Sequence, residues 1–404
     1  MLNEFLHYGY LPNSVENRIP APIIESVTSK PDKYTSNSRI DATITSFSKS
    51  VDSELQNDYN CEHIIPLSSG LDSRALLVTL LKRDDIKKSQ IQTVTFGTPG
   101  TWDFEIGQQV AKKAGVRNIE INLSDGSFDW SLESLKKYTS EKPNTRVLDG
   151  YINSTILEIA HDDAVIWSGF MGDPSAGGHT TLNPQNDWTT ATEEFAEKER
   201  YTTGLTPVDF DPVSVLPDEP FVPREQLSFE EQLDFALRQQ CLICPLVIHS
   251  EQYRTPFMQP EWLRFSLNLP VEYRRNRRLF KTAFRTEYPE LFSLPTDANN
   301  GLSLDANPIR EWVRGKRLKL SQKASSWFDL DYLHPRTNYI DFANAFRSSG
   351  ELRNTMHSLV SQFSERDRAN WIDPLAIWED HQNGIDRTNE IRVIASLELH
   401  LNTE

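Results

Sequence analysis

The sequence predicts an α/β protein built on a parallel sheet, and three observations carry that reading. Between about 61 and 170, short β-rich runs alternate with helical stretches. Two of those runs end in small-residue loops that open into polar turns, IIPLSSGLDSR at 64–74 and VIWSGFMGD at 165–173. From about 226 onward the pattern is mostly helical.

Taken in order, residues 1–60 are polar and weakly periodic until a helical stretch at Ile40–Leu55. Cys61–Leu67 reads as a strand. Asp72–Lys82 reads as a helix with Ala75, Leu76, Val78, Thr79 and Leu80 on a broad apolar face. Ile91–Phe96 is β-rich and stops at the turn cluster Gly97-Thr98-Pro99-Gly100. Asp103–Ala114 is helical and ends at Gly115, the residue that best adopts a left-handed cap. Asn118–Leu123 alternates as a strand does, 150–160 is helical, and Ala164–Trp167 is a short buried strand. Right-handed crossovers would align the strand ends, and any ligand, along one edge. Residues 174–225 are rich in Thr, Asn, Asp, Glu, Pro and Gly, and read as a long insertion or lid, mobile or covered by a partner.

The bulk composition excludes several classes. The chain has 404 residues, 38% hydrophobic and 25% charged, enough apolar material for a real core. A net charge of −16 argues against a general nucleic-acid partner. Three cysteines cannot build a disulfide framework, and with no signal-peptide pattern at the start the expectation is a cytoplasmic protein. No run of 18 apolar residues is present, so no membrane partner is expected.

The loop after the first strand has the chemistry of an anion site. Ser69 and Gly70 let the backbone approach a phosphate, Ser68 and Ser73 add hydroxyls, and the helix N-terminus favours negative charge. Asp72 would repel a phosphate unless Mg²⁺ lay between them. The chain has no G-x-x-x-x-G-K-[ST] loop, so the arrangement suits a pyrophosphate held as a leaving group, with attack at the α-phosphate. The plainer alternative is a helix capped by Asp72. The second loop repeats the theme with Ser168, Gly169, Gly172 and a second carboxylate, Asp173. Between the two, the backbone of Val94 to Gly97 offers an edge for adenine.

Four segments, SSGLDSR, TFGTPGTWDFE, WSGFMGD and TPFMQPEWLRFSLNLP, occur in the order of the synthetase domain of asparagine synthetase, and the chain resembles that family over about 40–320. FLHYGYLPN resembles the linker that precedes that domain, which makes 1–60 linker-like. The family belongs to the N-type ATP pyrophosphatases. The resemblance implies an adenine-nucleotide α-hydrolase-like (PP-loop) core at 61–320 with 174–225 inserted, and a helical extension at 321–404. It implies ATP and Mg²⁺ as cofactors, adenylation of a carboxylate with release of pyrophosphate, and transfer to ammonia or an amine. Ser68, Ser69, Gly70, Asp72 and Ser73 would hold the pyrophosphate, and Asp72 and Asp173 the Mg²⁺. Ser168 and Gly169 would meet the nucleoside, and Leu67 with Val94 or Phe96 would flank the adenine. No glutaminase half is read in the sequence, so free ammonia, another amine or a separate glutaminase is the implied nitrogen source.

The departures are as specific. Ser69 replaces the middle Gly of the family's first loop. Phe170 and Pro174 replace the two Glu of its second loop, and Gln259 stands where an Asp is usual. Pro295–Gly301 has no counterpart of a catalytic Lys. One charge stabilising a developing anion is worth roughly 3 kcal/mol, so plain asparagine synthesis is not expected. In the basic run RRLFKTAFR (277–285), Arg277, Arg278 and Lys281 are candidates for the missing charge, and Arg277 and Lys281 are assigned the catalytic role. Two other readings remain open: a catalytically altered nucleotide-binding scaffold, and a related enzyme adenylating a nucleobase or amide carbonyl. Cys241-Leu242-Ile243-Cys244 reads as buried thiols, Arg314–Lys319 as a solvated helix face, and Trp312, Trp327, Phe328, Tyr332 and Tyr339 as core.

Overall fold

The computed structural model describes residues 1–14, 19–29, 38–55, 58–141, 145–328 and 332–402. Its centre is a five-stranded, wholly parallel sheet in the order β3-β2-β1-β4-β5. The strands are β1 (His63–Pro66), β2 (Ile91–Gly97), β3 (Arg117–Asn122), β4 (Val165–Trp167) and β5 (Tyr253–Arg254). His63 lies opposite Ile91 on one side and Val165 on the other. Ile64, Ile65, Val165, Ile166 and Trp167 are buried, as the continuous apolar runs of a covered parallel sheet require.

The helices between the strands form where the periodicity places them. Asp72–Leu81 buries nearly its whole length, and Trp102–Ala114 ends at Gly115 with φ 68°. A Cβ on Gly107 would come within 2.8 Å of the Leu67 carbonyl, so that helix can lie against β1 and β2 only with glycine there. β5 has only two residues, too few for periodicity to reveal.

The chain runs outward from β1 through β2 to β3, then returns to the other side of β1 for β4. The connections therefore diverge between β1 and β4. In open parallel sheets this is where a crevice forms beyond the strand ends.

Much that looks polar along the sequence is packed. Phe5, Leu6, Tyr8 and Tyr10 are buried around the helix Leu2–Tyr8. The helix Ser38–Leu55 inserts Phe47 among Phe257, Trp262 and Phe284, with centroid separations of 4.7–5.7 Å. The segment 174–225, read as a long insertion or lid, mobile or covered by a partner, is packed: it contributes the helix Trp188–Lys198 and buried Trp188, Phe195, Leu205, Leu216 and Val222. Its apolar residues are few, and while Leu182 and Val208 are exposed, the large ones named here reach the core. The helices Phe342–Arg347, Glu351–Ser364, Pro374–Gln382 and Thr388–Leu401 close a second apolar cluster with Leu2–Tyr8, Leu132–Glu141 and Val147–Ser154.

One reading of the helical half needs correcting, and the buried-thiol reading holds for Cys241 and in part for Cys244. Trp312 is not core: it is 64% exposed on the helix Pro308–Phe328. The side chains of Trp327 and Phe328 lie outside the described residues. Cys241 is buried, its thiol donating to the Pro12 carbonyl at 3.2 Å, and Cys244 is half-buried. Among the described residues no helix is long and apolar enough to cross a membrane.

Candidate functional site

A cavity of about 340 Å³ opens at the crevice between β1 and β4. The β1 loop lines it with Ser68, Gly70, Asp72 and Ser73, and the β4 loop with Ser168 through Pro174. Phe96 from the end of β2 closes one wall, and Tyr253 from β5 another. The sheet thus brings together the two loops that lie about a hundred residues apart in sequence.

Each loop is wound onto its own hydroxyl. Ser68 Oγ accepts from the Gly70 N–H, and Ser168 Oγ from the Phe170 N–H, both at 3.1 Å. Ser69 turns away from the cavity: its N–H and hydroxyl donate to Asp103 at 3.1 and 2.6 Å. Asp103 sits in the first turn of Trp102–Ala114, so this pair fixes the loop to the neighbouring helix. Burial raises the Asp103 carboxyl, against the hydrogen bonds from Ser69 that lower it. Arg74 holds the other side. Its fully buried guanidinium donates to the carbonyls of Ser69, Leu291, Leu294 and Pro295. The first loop is therefore clamped to the 291–295 turn by one cation.

The carboxylates of Asp72 and Asp173 face each other across Arg277. One guanidinium nitrogen pairs with Asp72, and the other lies 3.3 Å from Asp173. Arg277 begins the helix Arg278–Glu287 from a left-handed conformation, φ 58°, after Asn276 at φ 52°. Its guanidinium lies 4.4 Å from the centre of the Phe280 ring, which stiffens it beside the two carboxylates. Burial pushes the Asp72 carboxyl up to about 6, against the lowering charge of Arg277 and with the like charge of Asp173. For Asp173, burial also acts upward, but the hydrogen bond from His179 and the charge of Arg277 hold it below the usual carboxylate range. Lys281 follows one turn after Arg277, and burial, then the charge of Arg277, lower its pKa. It does not line the cavity.

His179 completes the polar wall. Its two nitrogens lie 2.7 Å from Asp234 and 3.3 Å from Asp173. Burial opposes its charge, yet the hydrogen bonds to Asp173 and Asp234 outweigh it and hold the imidazole up at about 9. The imidazolium is thus the prevailing form at neutral pH. Asp234, Arg238 and Gln239 come from Asp234–Ile243, which is wound as a π-helix, a geometry recurrent at functional sites.

Of the residues singled out in the sequence, Ser68, Gly70, Asp72, Ser73, Phe96, Ser168, Gly169 and Asp173 line the cavity. Arg277 contacts both its carboxylates. Leu67 and Val94 are buried in the core beneath it and do not line it. Gln259 donates to Glu54 at 2.6 Å, away from the cleft. Phe170 lines the cavity with an apolar ring. His179, Asp234, Arg238, Gln239, Asn153 and Tyr253 were not anticipated. For His179 a signal existed. A Cβ on Gly178 would fall within 2.1 Å of Asp173, and Gly177 has φ 95°, so the Gly-Gly pair before the histidine marks the close approach.

The donor set fits a metal-bound polyphosphate. Ser73 Oγ is buried beside the cavity with no hydrogen-bond partner. A phosphate oxygen would satisfy it. Among the described residues no three His, Cys, Asp or Glu side chains gather to hold a metal alone. Two carboxylates are what Mg²⁺ takes from a protein when phosphates and waters supply the rest.

No protein-family model matches the chain, and no curated protein matches it at a significant level.

Proposed function

We propose that this protein is an ATP-dependent ligase that adenylates a carboxylate, releases pyrophosphate, and passes the acyl group to ammonia or an amine. The observation that carries the reading is the pair Asp72 and Asp173, presented by two strand-end loops at the divergence point of a parallel sheet, beside the unsatisfied Ser73 hydroxyl. Mg²⁺ held by Asp72 and Asp173 would neutralise the phosphates. Ser68, Gly70 and Ser73 are placed to bind the pyrophosphate portion, and Phe96 with Ser168 and Gly169 the nucleoside. Ser69 positions the loop through Asp103 rather than meeting ligand. Arg277 is the cation placed to offset charge developing at the phosphates, and Lys281 acts behind it. The apolar Phe170 wall leaves the amine without a carboxylate base from that loop.

The test is product analysis. With ATP, Mg²⁺ and a panel of carboxylates and amines, AMP and pyrophosphate are expected. The Asp72→Asn variant should lose this turnover by roughly a hundredfold or more. Release of ADP and phosphate instead would overturn the reading. A second reading, a nucleotide-binding scaffold, is favoured by one observation: Arg277 already neutralises both carboxylates. It would be recognised by ATP binding without turnover on any carboxylate.

A further inference from the structure

The helix Pro308–Phe328 carries a surface unlike the rest of the molecule. Between Pro308 and Ser321 it has five cations, Arg310, Arg314, Lys316, Arg317 and Lys319, against the single carboxylate Glu311, in a chain of net charge −16. The same stretch exposes large apolar side chains: Ile309 72%, Trp312 64%, Val313 42% and Leu320 65%. Beside it runs a concavity of about 390 Å³ lined by Leu302, Val313 and Leu318 together with Arg310, Arg314 and Arg317. Apolar and guanidinium side chains therefore line one groove, with Val313 among them, while Ile309, Trp312 and Leu320 flank it on the same helix.

The groove adjoins the cleft. Asn300, at the turn before this helix, reaches Glu311 at 3.3 Å. The turn at 295–302 links the two: Arg74 of the first loop's helix donates to the Pro295 carbonyl at 2.8 Å, and Leu302 lines the groove. The groove and the first loop of the cleft therefore rest on the same turn.

We infer that this groove docks an acidic polypeptide segment, and that this segment presents the carboxylate to be activated in the cleft. The second half rests on the ligase reading above; the docking does not. Guanidinium forks suit carboxylates, and Leu302, Val313 and Leu318 on the same groove suit apolar side chains between them. A duplex or a bilayer fits less well. Either extends far beyond the helix, over a surface whose net charge repels it, whereas a short peptide stays within about 10 Å, one screening length, of the cations. Either would also leave the apolar side chains lining a concave groove unfilled.

The experiment uses the full-length protein and a fluorescein-labelled peptide alternating Glu and Asp with Leu, read by fluorescence anisotropy. Binding should weaken as salt rises. It should fall at least roughly tenfold in the Arg310→Glu/Arg314→Glu/Arg317→Glu variant, and similarly in Val313→Asp. Asp72→Asn should bind the peptide as wild type does, which separates docking from chemistry. Cleavage of ATP with a small carboxylate should be unchanged in the triple variant. Circular dichroism and a urea melt confirm that both variants fold. The proposal is overturned by equal peptide binding in the triple variant. It is equally overturned by tighter binding of oligo-dT or of phosphatidylglycerol vesicles than of peptide, or by self-association in ultracentrifugation that the triple variant abolishes.

Discussion

At the scale of single residues, charge and burial decide the outcome. Arg277 is buried between two carboxylates that otherwise repel each other. Replacing it with Met keeps volume but removes the counter-charge. Breaking a fully buried pair costs roughly 3–5 kcal/mol, and Asp173, about half exposed, keeps some hydration, so about 2 kcal/mol is expected. A urea titration measures it, and added Mg²⁺ should restore more stability to Arg277→Met than to wild type. His63 gives the clearest pH signature. Burial on β1 pulls its imidazole down to about 4, while Nδ1 accepts from the Trp167 indole at 3.1 Å. An unfolded histidine titrates near 6.5. Between those values the unfolded chain binds the extra proton, so stability from this group is complete above about pH 6.5 and is lost as pH falls toward 4. The loss amounts to roughly 3 kcal/mol. His63→Gln keeps an acceptor for Trp167 and should flatten that part of the stability–pH curve. An unchanged slope would show that His63 does not titrate this way.

At the scale of elements, the small residues in the strand-end loops are there because side chains of the other loop occupy the space. A Cβ on Gly172 would lie 2.4 Å from Asp72 Cγ and 2.6 and 2.8 Å from its oxygens. Gly172 does not have positive φ, so alanine is tolerable to the backbone and the cost falls on Asp72. Gly172→Ala should change stability by about 1 kcal/mol or less. It should weaken ATP–Mg²⁺ binding roughly tenfold or more, measured by calorimetry, because the carboxylate must swing away. Undiminished affinity would remove Asp72 from the site. The same spacing was legible in part beforehand. SSGLDSR and WSGFMGD announce loops that need small residues, and β1, β2, β3 and β4 form within a few residues of where the patterns put them. β5 was not legible, because two residues carry no period. Nor was the π-helix Asp234–Ile243, whose extra residue per turn turns Arg238 and Gln239 toward the cavity while leaving the apolar pattern nearly helical.

At the scale of the molecule, two large apolar clusters share one short helix. Leu2–Tyr8 gives Phe5 and Leu6 to the cluster of the C-terminal helices, and Tyr8 to the cluster around the sheet. Thermal or urea unfolding is therefore expected as one transition, with fluorescence and circular dichroism coincident. Two separated transitions would show that the clusters are independent. The half-buried pair Arg366–Glu398 and the pair Arg392–Asp149 tie the C-terminal helices further to each other and to Val147–Ser154.

The sequence by itself determined the parallel α/β core, the loop chemistry after β1 and β4, and the identity of Asp72, Asp173 and Arg277 as charged groups worth watching. These are local properties: periodicity, small-residue turns and side-chain chemistry all act over a few positions. Only the tertiary structure decided which of them meet. Strand order placed β4 beside β1, so that the two carboxylates share one guanidinium. It sent Ser69 to Asp103 and Arg74 to the 291–295 carbonyls, and brought His179 from the polar 174–225 segment to the wall of the cleft. Pairings between separate elements depend on how sheet and helices pack as a whole, and no local pattern in the chain encodes them.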